Sequence, residues 1–112
     1  MNSTDFQPGQ IVSLEYNHRR LYAEVIQVVV SRQLCWVRPL LLANYCGEIP
    51  EVTDLRDAAD LILTINFFRP ALDTEVIGLL SEIQSLSKLN TDTGARFQLN
   101  QFIHEVWQAY KI

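Results

Sequence analysis

No catalytic or metal-binding spacing is present in this 112-residue sequence. Its four glycines, Gly9, Gly47, Gly78 and Gly94, stand apart, so there is no Gly-rich loop to cradle a phosphate. Cys35, Cys46, His18 and His104 include no pair at a local chelating distance, which argues against zinc. No cofactor, no metal and no catalytic residue is therefore expected, and the chain reads as a non-enzyme. No apolar run is long enough to span a membrane. Met1–Asp5 lacks the basic and apolar regions of a secretory leader. These absences predict a cytoplasmic protein whose two cysteines are reduced, the compartment disfavouring a Cys35–Cys46 disulfide.

Positive charge is also scarce. The chain holds 9 Lys and Arg against 13 Asp and Glu, for a net charge of −4. Strong nonspecific nucleic-acid binding needs more cations than this, because it depends on neutralising phosphates. The imbalance lies in the second part: residues 1–46 are nearly neutral, while residues 47–112 carry most of the acid. Glu48, Glu51, Asp54, Asp57 and Asp60 recur every third residue, with only Arg56 to offset them. Isolated charges are costly to bury, so this run is expected to be solvated or to face a partner.

What is present is an apolar pattern that changes period at Asp73. Hydrophobic residues make up 48% of the chain, a globular composition. Its length suits one domain over 1–112, strand-rich over 10–68 and helical over 73–111. After a polar lead-in, Met1–Gln7, and a Pro8-Gly9 turn, Val12, Leu14 and Tyr16 alternate with Ser13 and Glu15, which is strand period. Asn17–Arg20 is a polar interruption of hairpin length. Leu21–Val30 is dense in β-branched residues, which favour strands. Leu34–Leu42 is a third strand, where Pro39 either marks a sheet edge or ends regular pairing. A short strand near Val52–Leu55 and a last one over Leu61–Phe68 complete the set. The last strand places Leu61, Leu63, Ile65 and Phe67 on one face and Ile62 and Phe68 on the other.

Asp73 is an N-cap residue and Glu75 suits the positive end of a helix dipole. Val76, Leu79, Leu80, Ile83 and Leu86 then form one helical stripe. Gly78 within it suggests close packing by a neighbour, since glycine costs roughly 1 kcal/mol relative to alanine in a helix. Residues 90–94 break the helix, and Thr91 or Asp92 caps a second one. That helix carries Leu99, Phe102, Ile103, Val106, Trp107 and Tyr110 as its stripe, with Trp107, Phe102 and Ile103 expected to be buried. The fold class is thus α+β: a small antiparallel meander or SH3-like barrel of 4–5 strands followed by two C-terminal helices.

Two surfaces could carry function. Val37-Arg38-Pro39-Leu40-Leu41 echoes Phe68-Arg69-Pro70-Ala71-Leu72. The plain account is two strand ends stopped by proline. The sharper one is a pair of Arg-Pro corners lining one groove. Trp36, Arg38, Arg69 and Phe68 would then form a protein-binding surface, using an unpaired edge of the Leu34–Leu42 strand. The second surface is the basic turn. His18, Arg19 and Arg20, with Arg32 and the strand residue Arg38, are the only cations placed to meet phosphates.

The stretches Gln33–Leu42 and Asp54–Val76, which contain Cys-Trp-Val-Arg-Pro-Leu and Asn-Phe-Phe-Arg-Pro-Ala-Leu-Asp-Thr-Glu-Val, resemble small uncharacterised proteins of cyanobacteria. The resemblance implies an accessory or assembly role in a photosynthetic bacterium and transfers no functional residue. The leading expectation is a small adaptor or assembly factor, monomer or homodimer, that binds another protein by a sheet edge or a sheet/helix groove. The alternatives are a nucleic-acid-binding barrel and, third, a small enzyme of unknown reaction.

Overall fold

The structure, a computed structural model, describes the backbone of residues 6–86 and 92–110 and the side chains of residues 6–81 and 94–110. The expected α+β order holds. Six strands, β1 (Ile11–Tyr16), β2 (Arg19–Val29), β3 (Leu34–Asn44), β4 (Glu51–Asp54), β5 (Leu61–Thr64) and β6 (Arg69–Pro70), precede two helices, α1 (Asp73–Leu86) and α2 (Asp92–Tyr110). The sheet runs β4-β3-β2-β1-β6, with β5 also paired to β3. All these pairings are antiparallel. The meander is therefore present and the barrel is not: among the described residues the two outer ends of the sheet do not pair.

β2 and β3 form the long central hairpin. It twists through two irregularities, between Tyr22 and Ala23 and between Val25 and Gln27. At the first, Leu40 has no partner on β2, so the side chains of β3 change phase there. Pro39 is consequently not at an edge. It is buried between the stretch of β3 that pairs with β5, ending at Val37, and the stretch that pairs with β4, beginning at Leu41. Proline's missing donor is tolerated because the outer ladder is interrupted at that point.

The alternation of β1 to β3 sends apolar groups to both faces, and each face receives one helix. Val12, Leu14, Leu21, Ala23, Val25, Val37 and Leu42 join Leu99, Phe102 and Val106 of α2 in the main core. Tyr22, Leu41 and Ala43 join Val76 of α1 in a smaller one. The molecule is a sheet between two helices.

Several local expectations are corrected. Phe6, inside the stretch read as a loose lead-in, is buried in the main core. The last strand stops at Thr64 and gives way to a 3-10 turn over Ile65–Phe67. That turn rotates Phe68 into the same core as Ile65, not onto the opposite face. Gly78 has no atom within 4 Å of an added Cβ, so no close approach requires it. Trp107 is 44% exposed and Tyr110 is also exposed, because α2 docks through Leu99, Phe102 and Val106, with Ala95 and Ile103 half-buried beside them. The positions Ile83, Leu86, Thr91 and Asp92 lie outside the described side chains.

Candidate functional site

The basic turn is the more fully engaged of the two predicted surfaces. The turn itself is only Asn17-His18, with Asn17 at φ 56, a left-handed conformation that asparagine tolerates. Arg19 and Arg20 belong to β2, so they point to opposite faces of the sheet. Arg19 forms an ion pair with Glu105 of α2, and its guanidinium lies 5.2 Å from the Phe102 ring centroid. Arg20 donates to Glu15 at 2.5 Å and lies 3.4 Å from Glu75 of α1. The Glu15 bond raises the affinity of Arg20 for its proton, and the Arg20 bond holds the Glu15 carboxyl below its ordinary value.

Behind this pair lies a fully buried phenol. Tyr22 accepts from Arg20 at 3.3 Å and donates to Glu75 at 2.8 Å. Burial pushes its ionisation well above that of a free tyrosine. Each arginine thus tethers one helix to one face of the sheet. His18 and Arg32 are exposed, but they sit at opposite ends of the long hairpin, roughly 30 Å apart for an extended strand of this length. The four cations His18, Arg19, Arg20 and Arg32 do not make one phosphate-binding patch.

The protein-binding set is divided as well. Phe68, 3% exposed, is a core residue and cannot meet a partner. Arg69 pairs with Ser13 on β6, while Arg38 pairs with Glu24 on β3. The two arginines share a face, but β2 and β1 lie between them, roughly 14 Å at ordinary strand spacing. Tyr22 and the α1 contact fill part of that interval, so the Arg-Pro corners do not flank an open groove.

Trp36 and Arg38 do stand together. Trp36 Nε1 donates to Asp60 at 3.0 Å, and Arg38 Nε reaches the other oxygen of the same carboxylate at 3.5 Å. Across the β3–β5 ladder Trp36 faces Ile62. Trp36 is 37% exposed and Ile62 61% exposed. They lie beyond the part of this face that α1 covers. The acidic run does not act as one unit: Asp60 holds Trp36 and Arg38, and Asp54 is bound by Arg56 at 2.9 Å. Glu48, Glu51 and Asp57 remain exposed.

Sequence reasoning missed a second exposed group. Phe67, three residues after β5, packs edge-on against Trp107 and at a tilt against Tyr110, both with ring centroids 5.0 Å apart. The apolar stripe of α2 was wider than the face the sheet could cover, which was the available signal. Among the described residues β5 has no strand on its outer side. The outer edge of β5 is therefore bordered by Trp36 and Ile62 on the α1 side, while Phe67, Trp107 and Tyr110 form a separate aromatic group where the chain crosses from β5 to β6.

Of the thiols, Cys35 is buried, which raises its pKa, and Cys46 is exposed; both are free. No group of acidic, His or Cys side chains among the described residues is placed to hold a metal ion. No described helix is long and apolar enough to cross a membrane. Comparison with known protein families, with curated proteins and with solved structures finds no match.

Proposed function

We propose that this chain is a protein-interaction module, a small adaptor or assembly factor, and that its partner adds an extended segment to the outer edge of β5. The observation that supports this is the cross-strand pair Trp36–Ile62, left exposed beside a strand with no outer neighbour among the described residues. An added strand gains affinity from main-chain hydrogen bonds and specificity from alternate side chains. One set would meet Trp36 and Ile62. Large aromatic residues of this kind carry most of the energy in interfaces. Arg38 and Asp60 supply the polar rim. Exposed Glu48 and Asp57 favour a basic partner and speed its approach at low salt.

The test is capture of a partner on immobilised protein, with and without nuclease, by wild type, Ile62→Lys and Arg32→Glu. Loss of a nuclease-resistant partner in Ile62→Lys, with Arg32→Glu unaffected, supports the β5 edge. A partner that disappears on nuclease treatment and in Arg32→Glu turns the case to nucleic acid. Charge reversal of Arg19 or Arg20 is unsuited to this comparison, because those residues hold the helices.

A further inference from the structure

The main-core face carries a polar cleft that the interaction surface does not use. One register row crosses three strands: Arg19 on β2 pairs with Asn44 on β3, and Asn44 pairs with Glu51 on β4. Leu42 and Thr53 form the next row. Gln98 and Gln101, one turn apart on α2, stand over them as a wall. The space between them, open to solvent on one side, is about 440 Å³. That falls within the roughly 300–1,000 Å³ of small-molecule sites.

The groups that line this space define what it can take. The Thr53 hydroxyl donates to Gln98 Oε1 at 3.1 Å, which leaves the Gln98 amide NH2 as the group available to a ligand. Asn44 Oδ1 accepts the Cys46 N–H at 3.2 Å, which leaves its NH2 in the same way. Glu51 provides a charged acceptor, and Gln101 both donor and acceptor. Arg19 is already bound to Glu105, so among the described residues lining the cleft no uncompensated cation is offered to an anion. Glu51 repels one. No aromatic ring among the described residues lines the cleft, so they offer no platform on which a nucleobase could stack.

We propose that this cleft binds a small, neutral, polyhydroxylated ligand, held by hydrogen bonds from Asn44 and Gln98 and to Glu51, with Gln101 closing over it. Hydroxyl groups both donate and accept, and so match this mixed set at several points. Without a stacking platform the affinity falls in about the millimolar range, where a few hydrogen bonds supply the free energy. The cleft opens at the β4 side of β3 and the interaction surface lies at the β5 side, on the other portion of the same strand. Ligand and protein partner can therefore bind together.

The experiment is a nuclear magnetic resonance titration of the full ¹⁵N-labelled chain, following the carboxamide NH2 signals. The probes are glucose, trehalose and myo-inositol, each raised to about 50 mM to cover millimolar affinity, with sodium phosphate as the anionic comparison. The expected result is saturable movement of the Asn44, Gln98 and Gln101 signals with at least one of the three polyols and none with phosphate. The double variant Gln98→Leu, Gln101→Leu should bind that polyol at least tenfold more weakly. Both residues are exposed, so its melting temperature should match wild type. No saturable movement with any polyol, a response to phosphate instead, or undiminished binding by the folded double variant would overturn the proposal.

Discussion

The two faces of the sheet are covered to different extents. On the α2 face the strands and the helix share one continuous core, from Phe6 and Val12 through Phe102 to Val106. On the α1 face only Tyr22, Leu41, Ala43 and Val76 are fully buried, at one end. At the other end Trp36 and Ile62 stay in water. The first face fixes the fold. The second has apolar surface to spare, and it is there that an interaction is proposed. The neighbouring arginines show the same division in miniature: Arg19 is tucked against Phe102 with Glu105, while Arg20 works at a more open site with Glu15, Tyr22 and Glu75.

The largest expected effect tests that contrast directly. Phe102→Ala should cost about 3–5 kcal/mol, as truncation of a buried aromatic does. Val76→Ala on the other face should cost about 2 kcal/mol, near the burial energy of the side chain. Urea denaturation of both variants checks the order; equal losses would erase the distinction between the faces.

Arg19→Met comes next. It keeps the aliphatic stem but removes the ion pair and the cation–π contact, for an expected loss of about 1–2 kcal/mol. Loss of the tether should also raise amide exchange in the last turns of α2. Unchanged exchange there would mean that the helix is held by Leu99, Phe102 and Val106 without help from Arg19.

Trp107→Ala should cost only about 1 kcal/mol, the worth of an edge-to-face aromatic pair. A loss as large as that of Phe102→Ala would show that Trp107 is buried after all. The difference between these two residues also marks how far the sequence could be read. Strand period in β1 and β2, the break at Asp73, the first turns of the α1 stripe and the docked part of the α2 stripe were legible, because period reports which face is apolar. What period cannot report is how much of an apolar face finds cover. Trp107 lies on the same stripe as Phe102 yet outside the docked strip. Pro39 allowed two readings, a sheet edge or an end to regular pairing, and the structure has the second. Proline implies a missing donor, and an interruption between two partner strands satisfies that as well as an edge does. The roles of Arg19 and Arg20 were within reach, since adjacent strand residues must face opposite ways and Glu75 and Glu105 offered one partner on each helix. The cleft was not, because it assembles residues from three strands and a helix.

The smallest expected effect concerns acid. Arg20 holds Glu15 below its ordinary 4.5, and Arg56 holds Asp54 below its ordinary 3.8. A carboxylate whose folded pKa is depressed contributes stability above its unfolded pKa and loses it as pH falls through the folded value. The melting temperature should therefore be flat with respect to these groups at neutral pH and decline as pH falls below about 4.5. Glu15→Gln should flatten part of that decline. An identical acid limb in Glu15→Gln would remove Glu15 from the account.

The central claim is that the surplus apolar surface beside β5 receives a partner strand. Amide hydrogen exchange of the chain, alone and saturated with its purified protein partner, tests it most directly. The account predicts new protection within Leu61–Thr64, with Glu51–Asp54 unchanged and the effect abolished in Ile62→Lys. Protection confined to Glu51–Asp54 or to the Asn17-His18 hairpin, with Leu61–Thr64 exchanging as before, would contradict it.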